Sequence, residues 1–417
     1  MNKYIIHGKQ PLSGILEVNG AKNSGLIILA CTLIAEGEYI LHNIPDLKDV
    51  AVMLQMLESL NLKTEKIGPH DYKITNNGLE TVEAPYDLVR VMRASFVVMG
   101  PLLAHKKEAR VPMPGGCAIG TRPVDIHLKA FEQLGVVISN ESGVIGAKAD
   151  KLIGAKIDLD FPTVTGTENI IMAATKAEGE TVITNAAKEP EITDLCNFLN
   201  TMGAEISGAG TEEIRIQGVE KLTPGEYTII SDRIEAGTFI IVSLIAGQDL
   251  KLKNVNLEHL SGFVVKLEEM GVEFEEEDDF VTVKGELSQL KNVNIETEPY
   301  PGFPTDLQAQ TMILLSLIKG QSSVSENIFE NRFMHVPELN RLGADIKIEN
   351  NKAIINGLVK FAGTSVSVSD LRAGASLILA GLVANNTTTI NEIQHIERGY
   401  ENIVERLQAV GVNIIKE

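Results

Sequence analysis

The sequence predicts an α/β protein of two lobes assembled from six copies of one unit, three per lobe. Three observations carry that prediction. A helix ending in a hydrophobic-Gly-hydrophobic step recurs at Gly135, Gly203, Gly271, Gly343 and Gly411, with Asn61 as a degenerate first copy; the successive intervals are 74, 68, 68, 72 and 68 residues. A second marker, closing an earlier and more apolar helix, falls at Gly37, Gly179, Gly247, Gly320 and Asn386 in nearly the same register. Alternating sequence follows the first marker, as in Ile214-Arg215-Ile216-Gln217-Gly218 and Ala353-Ile354-Ile355-Asn356-Gly357. Self-similarity at a fixed period is the mark of a repeat architecture and argues against two unrelated tandem domains.

Each unit therefore reads as an apolar helix, a short strand, an amphipathic helix, and two or three further strands. Glycine and asparagine tolerate the left-handed conformation that ends a helix, which places the helix stops at the markers. Period-two alternation gives strands with one buried face, and helices packed on those faces give a layered α/β unit. The sixth copy is short, with only residues 412–417 after Gly411. At the other end, Tyr4-Ile5-Ile6-His7-Gly8 and then Gly14-Ile15-Leu16-Glu17-Val18 match Ile214-Arg215-Ile216-Gln217-Gly218 and then Gly225-Glu226-Tyr227-Thr228-Ile229. Residues 1–20 are thus expected to complete the last repeat. The expected lobes are 21–230, and 231–417 completed by strands from 1–20.

A chain of 417 residues is long for a single core. Its 44% hydrophobic and 22% charged residues are ordinary for a globular protein. A net charge of −19 argues against a nucleic-acid or anionic-membrane surface. Any anionic ligand must then be met by local lysines and arginines. The first eight residues carry no signal-peptide core, and the apolar run at 25–35 falls short of the roughly 18 residues that span a bilayer. Three cysteines without CxxC or paired spacing argue against a disulfide framework or structural zinc. The expectation is a cytoplasmic protein in a reducing compartment.

Cys31 lies in an almost wholly apolar run, and Cys196 lies on the stripe Ile192, Leu195, Leu199, so both read as core. Cys117 differs. It sits in Pro112-Met113-Pro114-Gly115-Gly116-Cys117-Ala118-Ile119-Gly120-Thr121-Arg122-Pro123, an irregular segment with a guanidinium five residues downstream. Such a thiol is either packed under a turn or held as a reactive thiolate; the loop alone leaves both open.

The first helix of each unit is expected to begin near Lys22, Arg93, Thr165, Asp232, Pro304 and Ser369. Ser, Thr, Asp and Pro there suit helix starts, yet Lys22, Arg93, Arg233 and Arg372 oppose the dipole. Four cations at one repeat position point to sites for phosphate or carboxylate, in which free N–H groups assist. Asp306 follows Pro304-Thr305, where capping is the default and general-base work the alternative; residue chemistry favours the cap.

The segments Asn19-Gly20-Ala21-Lys22-Asn23, Arg93-Ala94-Ser95, Pro114-Gly115-Gly116-Cys117-Ala118-Ile119-Gly120, Arg122-Pro123-Val124-Asp125, Asp232-Arg233-Ile234-Glu235, Phe303-Pro304-Thr305-Asp306, Glu330-Asn331-Arg332-Phe333-Met334-His335 and Arg398-Gly399-Tyr400 together resemble the UDP-N-acetylglucosamine 1-carboxyvinyltransferase family. The resemblance spans essentially the whole chain. It implies a two-lobed inside-out α/β barrel of six repeats, with the helices buried. It also implies transfer of the enolpyruvyl group of phosphoenolpyruvate to the 3′-hydroxyl of UDP-N-acetylglucosamine, with release of phosphate and no cofactor or metal. That reaction is the first committed step of peptidoglycan synthesis.

Carried over by motif, Cys117 resembles the proton donor and the residue alkylated by fosfomycin, and Asp306 the acceptor of the sugar hydroxyl proton. Lys22, Arg122 and Arg398 resemble the holders of the phosphate and carboxylate, and Asn23 the residue that steers the intermediate. Arg93 and Arg372 resemble flanking substrate contacts. Arg122, Pro123, Val124, Asp125 and Ile126, with Val164 and Ile328, resemble the nucleotide-sugar site. Because these anion-binding residues are split between the lobes, ligand binding is expected to draw the lobes together. The chain departs from the family at Val97, where members carry Trp. Enolpyruvyl transferases acting on shikimate 3-phosphate share the fold but lack the Pro-Gly-Gly-Cys loop, and a non-catalytic nucleotide-sugar-binding paralogue would not be expected to retain Cys117, Asp306, Lys22 and Arg398 together.

Overall fold

A computed structural model of the chain describes residues 2–114 and 124–417. The chain divides into two compact units, one formed by residues 2–19 with 231–417 and the other lying within 20–230. Each unit contains three small sheets.

In the first lobe the sheets run Glu226–Thr228, Gly37–His42, Tyr72–Asn76, Leu62–Lys66; then Glu108–Pro112, Val144–Lys148, Val137–Glu141; then Glu205–Ser207, Glu213–Gln217, Glu180–Thr184, Lys156–Asp158. In the second lobe they run Glu273–Glu277, Phe280–Lys284, Gly247–Lys253, Leu12–Glu17; then Asn294–Glu296, Gln321–Ser325, Lys352–Asn356, Asp345–Glu349; then Ser365–Ser367, Thr387–Asn391, Tyr4–His7, Asn413–Lys416. Five sheets share one plan. Three strands pair antiparallel, and a fourth is handed over from a neighbouring repeat to pair parallel at one edge. In the second sheet that strand is reduced to a parallel bridge between Glu83 and Arg110.

The handover closes a ring within each lobe. Glu226–Thr228, from the third repeat, returns to the first sheet. In the second lobe Tyr4–His7 joins the sixth sheet between Thr387–Asn391 and Asn413–Lys416. The strand Leu12–Glu17, the counterpart of Glu226–Thr228 in the last repeat, is likewise handed over, pairing parallel with Gly247–Lys253 in the fourth sheet. Alternation fixes which face of a strand is buried but not which neighbour it pairs with.

Each repeat contributes an interior helix: Lys22–Cys31, Met99–Lys106 and Val164–Ala174 in the first lobe, and Arg233–Ala246, Gln308–Leu317 and Leu371–Val383 in the second. These are apolar on nearly every side; Ile234 to Ile245 is buried without interruption, and a helix hydrophobic all round belongs in a core. Cys31 is buried on the first of them. The second helices are amphipathic, with one face covered, as in Lys48–Ser59 and Pro190–Thr201, where Cys196 is buried. They stop at the predicted markers, where Gly135, Gly203, Gly271, Gly343 and Gly411 have φ between +88° and +105° and Asn61 has φ +76°. Two interior helices are entered through a 3-10 turn, Arg93–Val98 and Thr305–Leu307. Both turns carry predicted site residues.

Candidate functional site

Both lobes present predicted residues at the N-terminal ends of interior helices, and each set is described within its own lobe. In the second lobe, Asp306 lies in the turn Thr305–Leu307 that opens Gln308–Leu317. Its carboxylate does not cap that turn, contrary to the default reading of the sequence. Oδ1 instead accepts from Arg332 Nη2 at 2.5 Å, and Oδ2 from Arg372 Nη2 at 3.0 Å. The two arginine side chains are only 4% and 8% exposed, while Asp306 keeps 29%. Charge-assisted bonds of this kind fix orientation as well as energy. Burial pulls the Arg372 guanidinium down, but Asp306, Tyr400 and Asp232 outweigh it and the net shift is upward. Arg372 is therefore a permanent buried cation, and Asp306 is its nearest counter-charge.

Glu326 holds the surrounding backbone. Its buried carboxylate accepts from Thr297 Oγ1 at 2.9 Å, Thr305 Oγ1 at 2.8 Å, and the N–H groups of Ile328 and Phe329 at 2.9 and 3.2 Å. One carboxylate thus ties the residue before Asp306 to the segment bearing Ile328 and Arg332. Arg332 also stacks on Phe329, 5.5 Å from the ring centre. His335 is buried behind it, and burial lowers its imidazole to about 4, so it adds no charge near neutral pH.

The helix starts were expected to combine cations with free N–H groups. On two of them those groups are occupied. Asp232 accepts from the N–H groups of Ile234 and Glu235 at 2.8 and 3.0 Å, and Asp370 from those of Arg372 and Ala373 at 3.0 and 3.1 Å. Cationic side chains, rather than helix N–H groups, are what these starts can offer an anion. Arg233 lies over the Tyr300 ring at 5.6 Å. Arg398, half-buried, ends the turn Ile393–Arg398.

In the first lobe the helix Lys22–Cys31 has no side-chain cap, in contrast to the two capped starts. Gly20 allows this entry, because a Cβ there would lie 1.7 Å from the Asn43 carbonyl oxygen. Lys22 Nζ lies 3.6 Å from Asp49 Oδ2, and Asn23 is exposed beside it. The next residue, Ser24, bonds Asp194, which also accepts from Tyr227 Oη at 2.7 Å and Ile230 N at 3.3 Å. Burial raises the Asp194 carboxyl despite these donors.

Arg93 opens the turn Arg93–Val98, in which Val97 is buried core at the position where a Trp was expected. Burial, reinforced by the Arg93 charge, lowers His127 to about 4. His127 Nδ1 lies 3.0 Å from Asn169 Nδ2 and accepts from it, leaving Nε2 to donate towards Thr165 Oγ1 at 3.4 Å. This links two predicted groups. Val124, Asp125 and Ile126 immediately precede His127, and Val164 begins the helix that carries Thr165 and Asn169. Cys117, Arg122 and Pro123 lie outside the described residues.

Arg332 and Glu326, which hold Asp306 and the adjoining Thr305, are not singled out by the sequence alone. Arg332 lies in the segment Glu330–His335, where no helix start or sign anomaly distinguishes it, and nothing local marks Glu326.

The profile of the family described as EPSP synthase (3-phosphoshikimate 1-carboxyvinyltransferase) matches residues 6–407. The UDP-N-acetylglucosamine 1-carboxyvinyltransferase 1 of Caldanaerobacter subterraneus subsp. tengcongensis is 50% identical, over 100% of this chain and 99% of its own. The UDP-N-acetylglucosamine 1-carboxyvinyltransferase of Geobacter metallireducens is 51% identical, over 99% of both chains. Among solved structures, the enolpyruvyl transferase NikO from Streptomyces tendae superposes with a TM-score of 0.90 at 25% identity, over 100% of this chain and 98% of its own.

Proposed function

The chain belongs to the EPSP synthase family of carboxyvinyltransferases, and from that premise we propose that it transfers the enolpyruvyl group of phosphoenolpyruvate to the 3′-hydroxyl of UDP-N-acetylglucosamine, releasing phosphate. Two features support this acceptor over shikimate 3-phosphate: full-length relatives near 50% identity that carry the nucleotide-sugar name, and the Pro-Gly-Gly-Cys loop. The observation that carries the chemistry is the Asp306 carboxylate clamped between Arg332 and Arg372.

The reaction runs by addition and elimination. The Cys117 thiol gives a proton to the methylene carbon of phosphoenolpyruvate, and positive charge develops at the adjacent carbon. The sugar hydroxyl oxygen bonds that carbon while its proton passes to Asp306, whose aim is fixed by the two guanidiniums. The resulting ketal returns a proton from the new methyl group to the Cys117 thiolate, and phosphate leaves with the electron pair of the C–O bond. Lys22, Arg122 and Arg398 hold the phosphate and carboxylate, Asn23 steers the intermediate, and Arg93 and Arg372 flank it. Guanidinium suits both anions geometrically. Pro123, Val124, Asp125, Ile126, Val164 and Ile328 contact the nucleotide sugar. Positioning of this kind accounts for much of such a rate enhancement.

The product feeds peptidoglycan synthesis in the cytoplasm, and fosfomycin alkylates Cys117. No described helix is long and apolar enough to cross a membrane. Mass spectrometry of the nucleotide sugar after incubation with phosphoenolpyruvate tests the reading. An added enolpyruvyl ether is expected; unchanged nucleotide sugar in the presence of folded protein refutes it.

A further inference from the structure

Below Asp306, a run of buried hydrogen bonds joins two segments that the proposed reaction uses separately. Tyr400, two residues past Arg398, is buried, and its hydroxyl lies 2.8 Å from Thr238 Oγ1. Thr238 donates its single hydroxyl hydrogen to the Ile234 carbonyl at 2.9 Å, so Tyr400 must be the donor in the shared bond. Gln310 Nε2 donates to the same threonine oxygen at 3.2 Å and to the Asp306 carbonyl oxygen at 2.9 Å. Thr238 Oγ1 is thereby filled, with one bond donated and two accepted.

Three elements meet there. Tyr400 follows the turn Ile393–Arg398, Thr238 lies in the interior helix Arg233–Ala246, and Gln310 is in the first turn of Gln308–Leu317. Thr238, Gln310 and Tyr400 are all at most 5% exposed. The residue between Arg398 and Tyr400 is equally constrained, because a Cβ at Gly399 would lie 2.5 Å from Leu371 Cδ2. Burial keeps the Tyr400 phenol protonated, with the Arg372 cation offsetting only part of that upward shift. Among the described residues Gln310 Oε1 has no partner, but the bonds of Thr238 and of Gln310 Nε2 tie the three side chains together, and losing one member leaves its partners unpaired in a low dielectric.

We propose that Tyr400 and Thr238 are positioning residues, which set the Arg398 guanidinium in its working place relative to the Asp306 carboxylate through Gln310. The proposal rests on the reading of Arg398 as a holder of phosphoenolpyruvate and of Asp306 as the base. Neither Tyr400 nor Thr238 is required to touch substrate, and the nucleotide-sugar contacts lie on other segments.

The test uses the full chain with Tyr400→Phe, Thr238→Val, Thr238→Ser and the double variant Tyr400→Phe/Thr238→Val. A misplacement of about 1 Å can cost on the order of 100-fold, so kcat/KM for phosphoenolpyruvate should fall at least ~10-fold in Tyr400→Phe and Thr238→Val. KM for UDP-N-acetylglucosamine should stay within about twofold. Thr238→Ser, which keeps the hydroxyl, should recover the loss. The double variant should be no worse than the weaker single one, as expected for two ends of one bond. Folded Tyr400→Phe and Thr238→Val enzymes with unaltered kcat/KM for phosphoenolpyruvate overturn the proposal, as does an effect confined to thermal stability. Failure of the wild-type protein to release phosphate would instead refute the proposed function. Crystal structures then decide the positioning role: displacement of residues 393–400 relative to Asp306 in Tyr400→Phe supports it, and coincident positions refute it.

Discussion

Arg372 donates to Asp306 Oδ2 at 3.0 Å while its own side chain is 8% exposed, so the proposed base is also the counter-charge of a buried cation. Catalysis and stability are therefore coupled at this residue. Removing one partner of a buried ion pair strands the other, at a cost of about 3 kcal/mol or more. Asp306→Ala is expected to lower the unfolding free energy of the second lobe by about that amount in urea titration and to abolish turnover. Unchanged stability would show that Arg332 and Arg372 find other counter-charges.

A pH-sensitive clasp lies at the ring closure of the first lobe. His42 Nδ1 is 2.8 Å from Asp71 Oδ1, and Nε2 is 2.9 Å from Glu226 Oε1 on the handed-over strand. The hydrogen bond to Asp71, aided by Glu226, raises its imidazole above the ordinary 6.5. A raised folded value stabilises fully below the unfolded pKa, and that stability is lost as pH rises through the folded value. First-lobe stability should thus decline as pH increases above about 6.5, and His42→Gln should flatten the decline. An NMR titration of His42 with a midpoint below 6.5 would contradict this.

The N-terminal segment is held to the second lobe by Glu235. Arg406 donates to both its carboxylate oxygens at 2.6 and 3.0 Å, the Asn19 N–H donates at 2.8 Å, and Arg406 stacks on Phe239 at 4.9 Å. Burial raises the Glu235 carboxyl despite the arginine. Arg406→Met should cost about 3–5 kcal/mol, and Glu235→Gln added to it should restore part of the loss. Denaturant titrations of the single and double variants measure both; a double variant no more stable than Arg406→Met would contradict the pairing.

The two described cysteines are chemically quiet. Burial pushes Cys196 up to about 12 and Cys31 well above its ordinary value. Alkylation by iodoacetamide in the native state should therefore label a single thiol, and Cys117→Ala should abolish that labelling together with inactivation by fosfomycin. Modification of the folded Cys117→Ala protein at Cys31 or Cys196 would show that the interior helices open.

What the sequence disclosed was local. Gly203 or Gly411 can be read as a helix stop because the left-handed conformation there is a property of one residue and its neighbours. The sign anomaly at Arg372 is local in the same sense, and the structure pairs that arginine with Asp306. Partners distant in sequence were not legible: Asp306 is bound by residues 26 and 66 positions away, so a capping preference outweighed the ion pairs that the fold supplies. The sheet that Leu12–Glu17 joins was not legible, because alternation carries no partner information. Asp370 spoiled the expectation of free N–H groups by capping the helix it precedes.

Transfer of the enolpyruvyl group builds an enol ether on a nucleotide sugar and frees one phosphate per turnover. Phosphate release measured with phosphoenolpyruvate and either UDP-N-acetylglucosamine or shikimate 3-phosphate tests it most directly. Release only with the nucleotide sugar, lost in Cys117→Ala and Asp306→Ala, is the predicted result. Release with shikimate 3-phosphate alone, or with neither acceptor in a folded preparation, would contradict it.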